Sequence, residues 1–297
     1  MAKAARFVPA VVSDPLTAFD GEVCAIDLSP DGKRILLVGD FSHRVVDAVS
    51  GKAVKALRPR DEAAWAGRFT PDGARVVGGV GERLLVWNAK TGAIVHDLST
   101  KGIVRRVSIS GDGKKAIAST WEKDVRAWDI VKGKELGGFT MKKSFVNGAA
   151  LSPDAKLVAC GGSDGVVRLC DPLSGEVKKA MPGKGWIDVV ERADAANVFA
   201  TAGRAAQVIV WSCAGDKLRT LTDLSSAITA LAVSPDGELV AASGKRATPL
   251  VWSVSSGKVV AALEGHDKVT AIAFSRDGRN IVTAGPPRVR VWSAALS

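Results

Sequence analysis

A turn-forming tetrapeptide returns at a nearly constant interval along this chain, and that periodicity limits the fold more than any other feature. It reads Ser29-Pro30-Asp31-Gly32, Thr70-Pro71-Asp72-Gly73, Ser110-Gly111-Asp112-Gly113, Ser152-Pro153-Asp154-Ala155, Ser234-Pro235-Asp236-Gly237 and Ser275-Arg276-Asp277-Gly278. A worn copy, Arg192-Ala193-Asp194-Ala195, fills the one gap, so the steps are 41, 40, 42, 40, 42 and 41 residues. A second anchor follows each turn: Val46-Asp47, Trp87-Asn88, Trp128-Asp129, Cys170-Asp171, Trp211-Ser212, Trp252-Ser253 and Trp292-Ser293. A Gly turn such as Ser50-Gly51 or Ser256-Gly257 follows most of those. The chain is therefore seven copies of one unit.

Each unit reads as four short strands. An apolar alternation such as Val23 to Leu28 precedes the turn, where Pro presets φ, Asp bonds the backbone ahead of it and Gly supplies a positive φ. A β-rich run follows, then a loop, a strand ending at the Trp position, a Gly turn and a last strand. Four strands per period of roughly 40–45 residues is the pattern of a propeller blade. The expected fold is all-β: a single seven-bladed β-propeller of four-stranded antiparallel blades spanning residues 1–297, with repeats anchored near 29, 70, 110, 152, 192, 234 and 275. A chain of 297 residues would otherwise suggest two domains.

The last unit ends soon after Trp292-Ser293 and lacks an outer strand, while Phe7 to Thr17 precedes the first unit. That N-terminal segment is expected to complete blade 7, removing an open sheet edge. Pro9 and Pro15 suit an outer strand, where a missing N–H costs least.

These units resemble the WD-repeat β-propeller family across essentially the whole chain. The resemblance implies a hydrogen-bonded tetrad in each blade: a His opening it, a Ser or Thr on its second strand, an Asp in the next turn, and the Trp. Here it is mostly eroded. Gly265-His266 keeps the opening dipeptide, Asp40 and Asp164 keep the acid with Glu122 a partial substitute, and Thr201 and Thr283 keep the hydroxyl, with Cys160 in its place in unit four. Apolar packing and ring closure are expected to hold the blades instead.

Composition narrows the function. No apolar run approaches the roughly 20 residues of a membrane span, and no long apolar stretch follows the basic residues at the start. Cys24, Cys160, Cys170 and Cys213 form no Cys-x-x-Cys pair, which suits a reducing, cytoplasmic setting. The three histidines, His43, His96 and His266, are far apart and show no metal-ligand spacing. No nucleophile–base pair and no phosphate loop opening a helix is evident. A non-catalytic protein without metal or cofactor is expected.

Binding residues are sought on the propeller's top face, which carries the blade-entry loops and those before each Trp strand. Five of eight Trp are repeat anchors, which leaves Trp65, Trp121 and Trp186 without a repeat role, and all three map to that face. Arg105 and Phe145 sit at blade entries beside them, and Lys101, Lys142, Lys143, Lys184, Arg204 and Lys245 run through the same loops, as do Arg58, Arg60 and Arg246. Aromatics with Arg at a rim are typical interface anchors. The alternative is that these rings plug the channel or pack beneath loops. The net charge of +10 is partly repeat-borne, since Lys33, Lys114 and Lys156 follow the turns of the opposite face. The expected role is a scaffold or adaptor that binds an acidic or phosphorylated protein or peptide on its top face, as a monomer or within a hetero-complex. The second reading is binding of nucleic acid or an anionic surface through the basic loops.

Overall fold

The structure, a computed structural model, describes residues 7–13, 22–39, 42–57, 62–142, 144–266, 268–286 and 288–294, with the backbone course alone for 7–13. Among them every regular element is a strand. β1 (Phe7–Ser13) comes first, followed by blade 1, made of β2 (Ala25–Leu28), β3 (Arg34–Gly39), β4 (Ser42–Asp47) and β5 (Ala53–Leu57). Blade 2 comprises β6 (Ala64–Phe69), β7 (Arg75–Val80), β8 (Arg83–Asn88) and β9 (Ile94–Ser99). Blade 3 comprises β10 (Val104–Ile109), β11 (Lys115–Thr120), β12 (Asp124–Asp129) and β13 (Lys134–Thr140). Blade 4 comprises β14 (Val146–Leu151), β15 (Val158–Gly162), β16 (Val166–Cys170) and β17 (Val177–Pro182). Blade 5 comprises β18 (Ile187–Arg192), β19 (Val198–Gly203), β20 (Val208–Ser212) and β21 (Lys217–Leu221). Blade 6 comprises β22 (Ile228–Val233), β23 (Leu239–Gly244), β24 (Leu250–Ser253) and β25 (Val259–Ala262). Blade 7 joins β26 (Ala271–Phe274), β27 (Asn280–Gly285) and β28 (Arg288–Ala294) to β1.

The seven sheets are antiparallel meanders of four strands each. The first strand of every blade lies against those of its neighbours, and β26 meets β2, so the ring is closed. β1 pairs with β28 in antiparallel register from Phe7–Ala294 to Ser13–Val289, and the ladder slips between Pro9 and Val11. Closure by the N-terminal segment thus holds over Phe7–Ser13; Pro15 and Thr17 lie outside the described residues. Proline falls beside a ladder slip on an outermost strand, where its missing N–H leaves no central pairing unmet.

Side-chain chemistry of the repeated turn explains its persistence. In six blades the Ser or Thr hydroxyl donates to the Asp carboxylate two residues on, at 2.5–2.7 Å, and that carboxylate accepts the backbone N–H two residues further on. Gly32 then takes φ = 68°. Ala155 holds the same left-handed conformation at φ = 59°, although its Cβ disfavours it. The Asp or Asn after the Trp position does similar work: Asp47, Asn88, Asp129 and Asp171 each accept two backbone N–H groups of the next turn.

Blade 5 departs from the repeat, and the structure corrects the alignment there. The Ala193 N–H bonds the Val198 carbonyl, as Ser29 N–H bonds Arg34 and Ser152 N–H bonds Leu157. Ala193, one residue on from the expected Arg192, therefore holds the serine position. The expectation that Asp194 is a turn former fails with it. Asp194 instead pairs with Arg192 and Arg276, at 3.2 and 3.6 Å.

Between blades the core is apolar. Trp87, Trp128, Trp252 and Trp292 are at most 1% exposed and each packs in a cluster that joins two blades. Their polar edges are met unevenly. Trp211 and Trp292 donate their indole N–H to Thr201 and Thr283, both at 2.9 Å, and His266 bonds Thr283 at 2.8 Å. Trp252 donates to Asp223 at 2.7 Å, a partner outside the expected tetrad. Trp87 Nε1 has no partner. In blade 2 the hydroxyl position is Gly78, and the imidazole of His43 from blade 1 fills the space: a Cβ on Gly78 would lie 2.3 Å from His43 Nε2. That Nε2 bonds the Ala66 carbonyl at 3.1 Å, while Nδ1 is unpartnered.

Candidate partner-binding site

A repeated irregularity builds the upper mouth of the channel. The ladder between the first two strands slips at the same place in five blades: between Ala64 and Ala66, Val104 and Arg106, Val146 and Gly148, Ile187 and Val189, and Ile228 and Ala230. Trp65, Arg105, Asn147, Asp188 and Thr229 are left unpaired at these bulges. A bulge re-aims a side chain without breaking the sheet. Five blades thus deliver one variable residue each to a common rim.

Trp65, Arg105 and Thr229 line a cleft of about 720 Å³. Trp121, at the start of the β11–β12 loop, adds a second indole whose ring centroid is 6.4 Å from that of Trp65, edge to face. Arg105 places its guanidinium 4.3 Å from the centre of the Trp121 ring. Lys245, Arg246 and Lys268 form the facing wall, and Glu22 is the one acid among the described lining residues. Partial burial and the adjoining Arg106 draw the pKa of Arg105 down to about 10, so it is cationic at neutral pH.

A polar chain ties this cleft to a second aromatic station. Arg105 Nη1 donates to Asn147 Oδ1 at 2.6 Å, and Asn147 Nδ2 donates to Asp188 Oδ1 at 3.3 Å. Asp188 pairs with Arg204 at 3.9 Å, and the Arg204 guanidinium stacks 3.6 Å from the centre of the Trp186 ring. Phe145 is 51% exposed beneath Lys123, whose ammonium is 4.7 Å from the ring centre.

The structure therefore brings Trp65, Arg105, Trp121 and Lys245 to one cleft and connects Arg105 to Arg204 and Trp186 through Asn147 and Asp188. The three indoles are 38–43% exposed, so none is a buried plug. Lys101, Lys142 and Lys184 are exposed on outer loops, away from the cleft and without an ion pair among the described residues. Lys143, Arg58, Arg60 and Asp40 lie outside the described residues. Asn147, Asp188, Arg106 and Lys268 are additions that sequence reading missed. The first two each open the first strand of a unit as Trp65 and Arg105 do, a signal available from the repeat.

Below the cleft the channel is cross-braced. Arg68 of blade 2 reaches Glu191 of blade 5 at 2.5 Å and Asp27 of blade 1 at 3.7 Å. Arg192 donates to the Ile109 carbonyl of blade 3 at 2.7 Å. Asp27 also accepts the Phe69 N–H at 2.7 Å, yet burial outweighs these partners and raises its pKa to about 6. Among the described residues no group of three or more His, Cys, Asp or Glu could hold a metal ion. No described helix is long and apolar enough to cross a membrane.

Comparison with known proteins decides the family. The model of the WD domain, G-beta repeat, matches residues 133–171, 215–253 and 257–293. Each match runs from the last strand of one blade through the third strand of the next, which is how seven such repeats interlock. The chain is a WD-repeat β-propeller. Members of this family are generally protein-interaction scaffolds. The propeller is 27% identical over 148 residues to the U3 small nucleolar RNA-associated protein 18 homolog of Homo sapiens, covering 48% of this chain and 27% of that protein. It is 27% identical over 164 residues to apoptotic protease-activating factor 1 of Rattus norvegicus, covering 51% of this chain and 13% of that one. Against the small ribosomal subunit protein RACK1y of Oryza sativa subsp. japonica it is 31% identical over 61 residues, covering 20% and 18%. The propeller thus spans less than a third of the length of these relatives.

Proposed function

We propose that this WD-repeat propeller is a non-catalytic scaffold that holds an acidic segment of a protein partner across its upper face. The observation that carries this is the cleft itself: two exposed indoles beside a guanidinium, faced by Lys245, Arg246 and Lys268, with Glu22 the one acid among the described lining residues. Indoles supply large contact area at little entropic cost, and Arg beside them supplies directed donors. The Arg105–Asn147–Asp188–Arg204 chain holds the donors in place before a partner arrives, which lowers the cost of binding. A reducing, cytoplasmic setting belongs to this reading, supported by four free cysteines, of which Cys160 and Cys170 have Sγ atoms 4.0 Å apart.

The test is affinity recovery from a lysate of the source organism with the wild-type propeller, Trp121→Ala and Arg105→Ala. Loss of a wild-type partner in both variants, with unchanged urea unfolding, supports the site. Undiminished recovery in both removes it.

A second reading rests on the stacking of Arg105, Lys123 and Arg204 on exposed rings, since aromatic platforms interleaved with cations also suit single-stranded nucleic acid. Two relatives bear names that associate them with a small nucleolar RNA and with the small ribosomal subunit. Binding of a labelled single-stranded RNA that falls steeply as salt rises would favour it.

A further inference from the structure

Two consecutive arginines reach the same cleft. A regular strand sends neighbouring side chains to opposite faces, but the bulge at Arg105 lets both Arg105 and Arg106 line the upper cleft. Arg106 also lines the narrower space beneath, so its side chain stands at the cleft's floor.

Arg106 has donors to spare. Its guanidinium carries five N–H groups, and the one side-chain hydrogen bond it makes among the described residues is from Nη1 to the Arg105 carbonyl, at 3.5 Å. No carboxylate lies within ion-pair distance of it among the described residues. The acids nearby are already engaged: Glu191 by Arg68, Asp188 by Asn147 and Arg204, and Asp27 by the Phe69 N–H and Arg68. A partly buried cation without a close counter-ion is costly, and desolvation accordingly draws the Arg106 pKa below its usual range, against the opposing pull of the Glu191 charge. The facing wall adds three further cations, Lys245, Arg246 and Lys268.

This arrangement asks for more than a carboxylate. A carboxylate carries one charge and satisfies one guanidinium fork. A phosphate monoester carries close to two charges and three acceptor oxygens in a tetrahedron, enough to meet two guanidinium groups at once. We propose that Arg106 and Arg105 together form a receptor for the phosphate of a phosphoserine or phosphothreonine side chain on the protein partner, inserted into the channel mouth. Arg106 is the specificity-determining residue, and Trp65 and Trp121 bracket the residues beside the phosphate. This rests on reading the cleft as the partner site and adds the chemical group it selects.

The test uses three fluorescein-labelled degenerate peptide pools with phosphothreonine, threonine or glutamate fixed at the centre, read by anisotropy against the full chain. The phosphothreonine pool is expected to bind at least about tenfold tighter than the glutamate pool, a difference of about 1.4 kcal/mol. Arg106→Gln should remove that preference by weakening the phosphothreonine pool far more than the glutamate pool, without lowering the urea midpoint, because it deletes a cation that no described carboxylate pairs at ion-pair distance. Arg106→Lys, which keeps the charge and loses the fork, should retain only part of the preference. Trp121→Ala should weaken both anionic pools alike. An unchanged preference in Arg106→Gln, or equal wild-type affinity for phosphothreonine and glutamate pools, overturns the receptor; if Trp121→Ala still weakens binding, the partner site itself stands. Binding of inorganic phosphate alone as tightly as the phosphothreonine pool overturns the side-chain source.

Discussion

The imidazole of His43 lies 4.9 Å from the indole of Trp87, tilted by 43°, and each ring carries one buried nitrogen with no hydrogen-bond partner. The pair joins blades 1 and 2 across the place where Gly78 has no side chain. Burial lowers the His43 pKa from 6.5 to about 4. The unfolded chain therefore binds the proton more readily, and stability present above pH 6.5 is lost as pH falls toward 4. The loss is about 3 kcal/mol. In an Asp27→Asn background, where the carboxyl that titrates in the opposite sense is gone, urea unfolding between pH 4 and 7 should show this slope, and adding His43→Leu should flatten it.

Asp27 acts in the opposite direction over nearly the same window. Its folded pKa of about 6 exceeds the usual 3.8, so the proton is held more tightly in the folded state. The stability it contributes is complete below pH 4 and lost as pH rises through 6, by at most about 3 kcal/mol. Asp27→Asn should remove this term and leave the acid loss from His43 steeper than in wild type. An unchanged pH profile would show that Asp27 titrates normally.

Ala155 is the one residue other than glycine in the fourth place of the six intact turns, at φ = 59°. Ala155→Gly should stabilise the fold by about 0.5–1 kcal/mol, the relief of a strained Cβ less the entropy glycine adds to the unfolded chain. Thermal unfolding of the two proteins measures it.

Thr201→Val keeps the shape of blade 5 and leaves Trp211 Nε1 without its acceptor. A loss of about 1–2 kcal/mol is expected. Ser119→Val, applied to a hydroxyl that already lacks a partner, should cost less. Equal losses would show that these hydrogen bonds are not what separates the blades energetically.

Much of this molecule could be read from its residues, because turn chemistry repeats where packing does not. The Ser-x-Asp-Gly turns carry their own hydrogen bonds within five residues, so the blade count, strand order and closing strand were legible. Blade 5 was misaligned by one because Ala193 and Ala195 replaced the bonding side chains, while Asp194 kept the appearance of the motif and joined Arg276 instead. Trp65, Trp121, Arg105 and Lys245 were found by subtracting the repeat from the aromatic and basic residues. Asn147 and Asp188 were missed since neither residue type stands out alone, and their meaning comes from bulges that place them beside Arg105 and Arg204. Arg106 was missed because alternation along a regular strand assigns it to the face opposite Arg105.

The pairing of β1 with β28 has a consequence for the order of events in synthesis. The strand at residues 7–13 precedes all seven blades' other strands in the sequence yet finds its partner only when residues 288–294 emerge, after the other six blades exist. Six blades can each gather their four strands from contiguous sequence, but the seventh waits, holding an unpaired edge while the chain is still tethered. The nascent propeller is thus an open arc rather than a ring until residues 288–294 have been made, and its unpaired sheet edge is a template for aggregation throughout that interval.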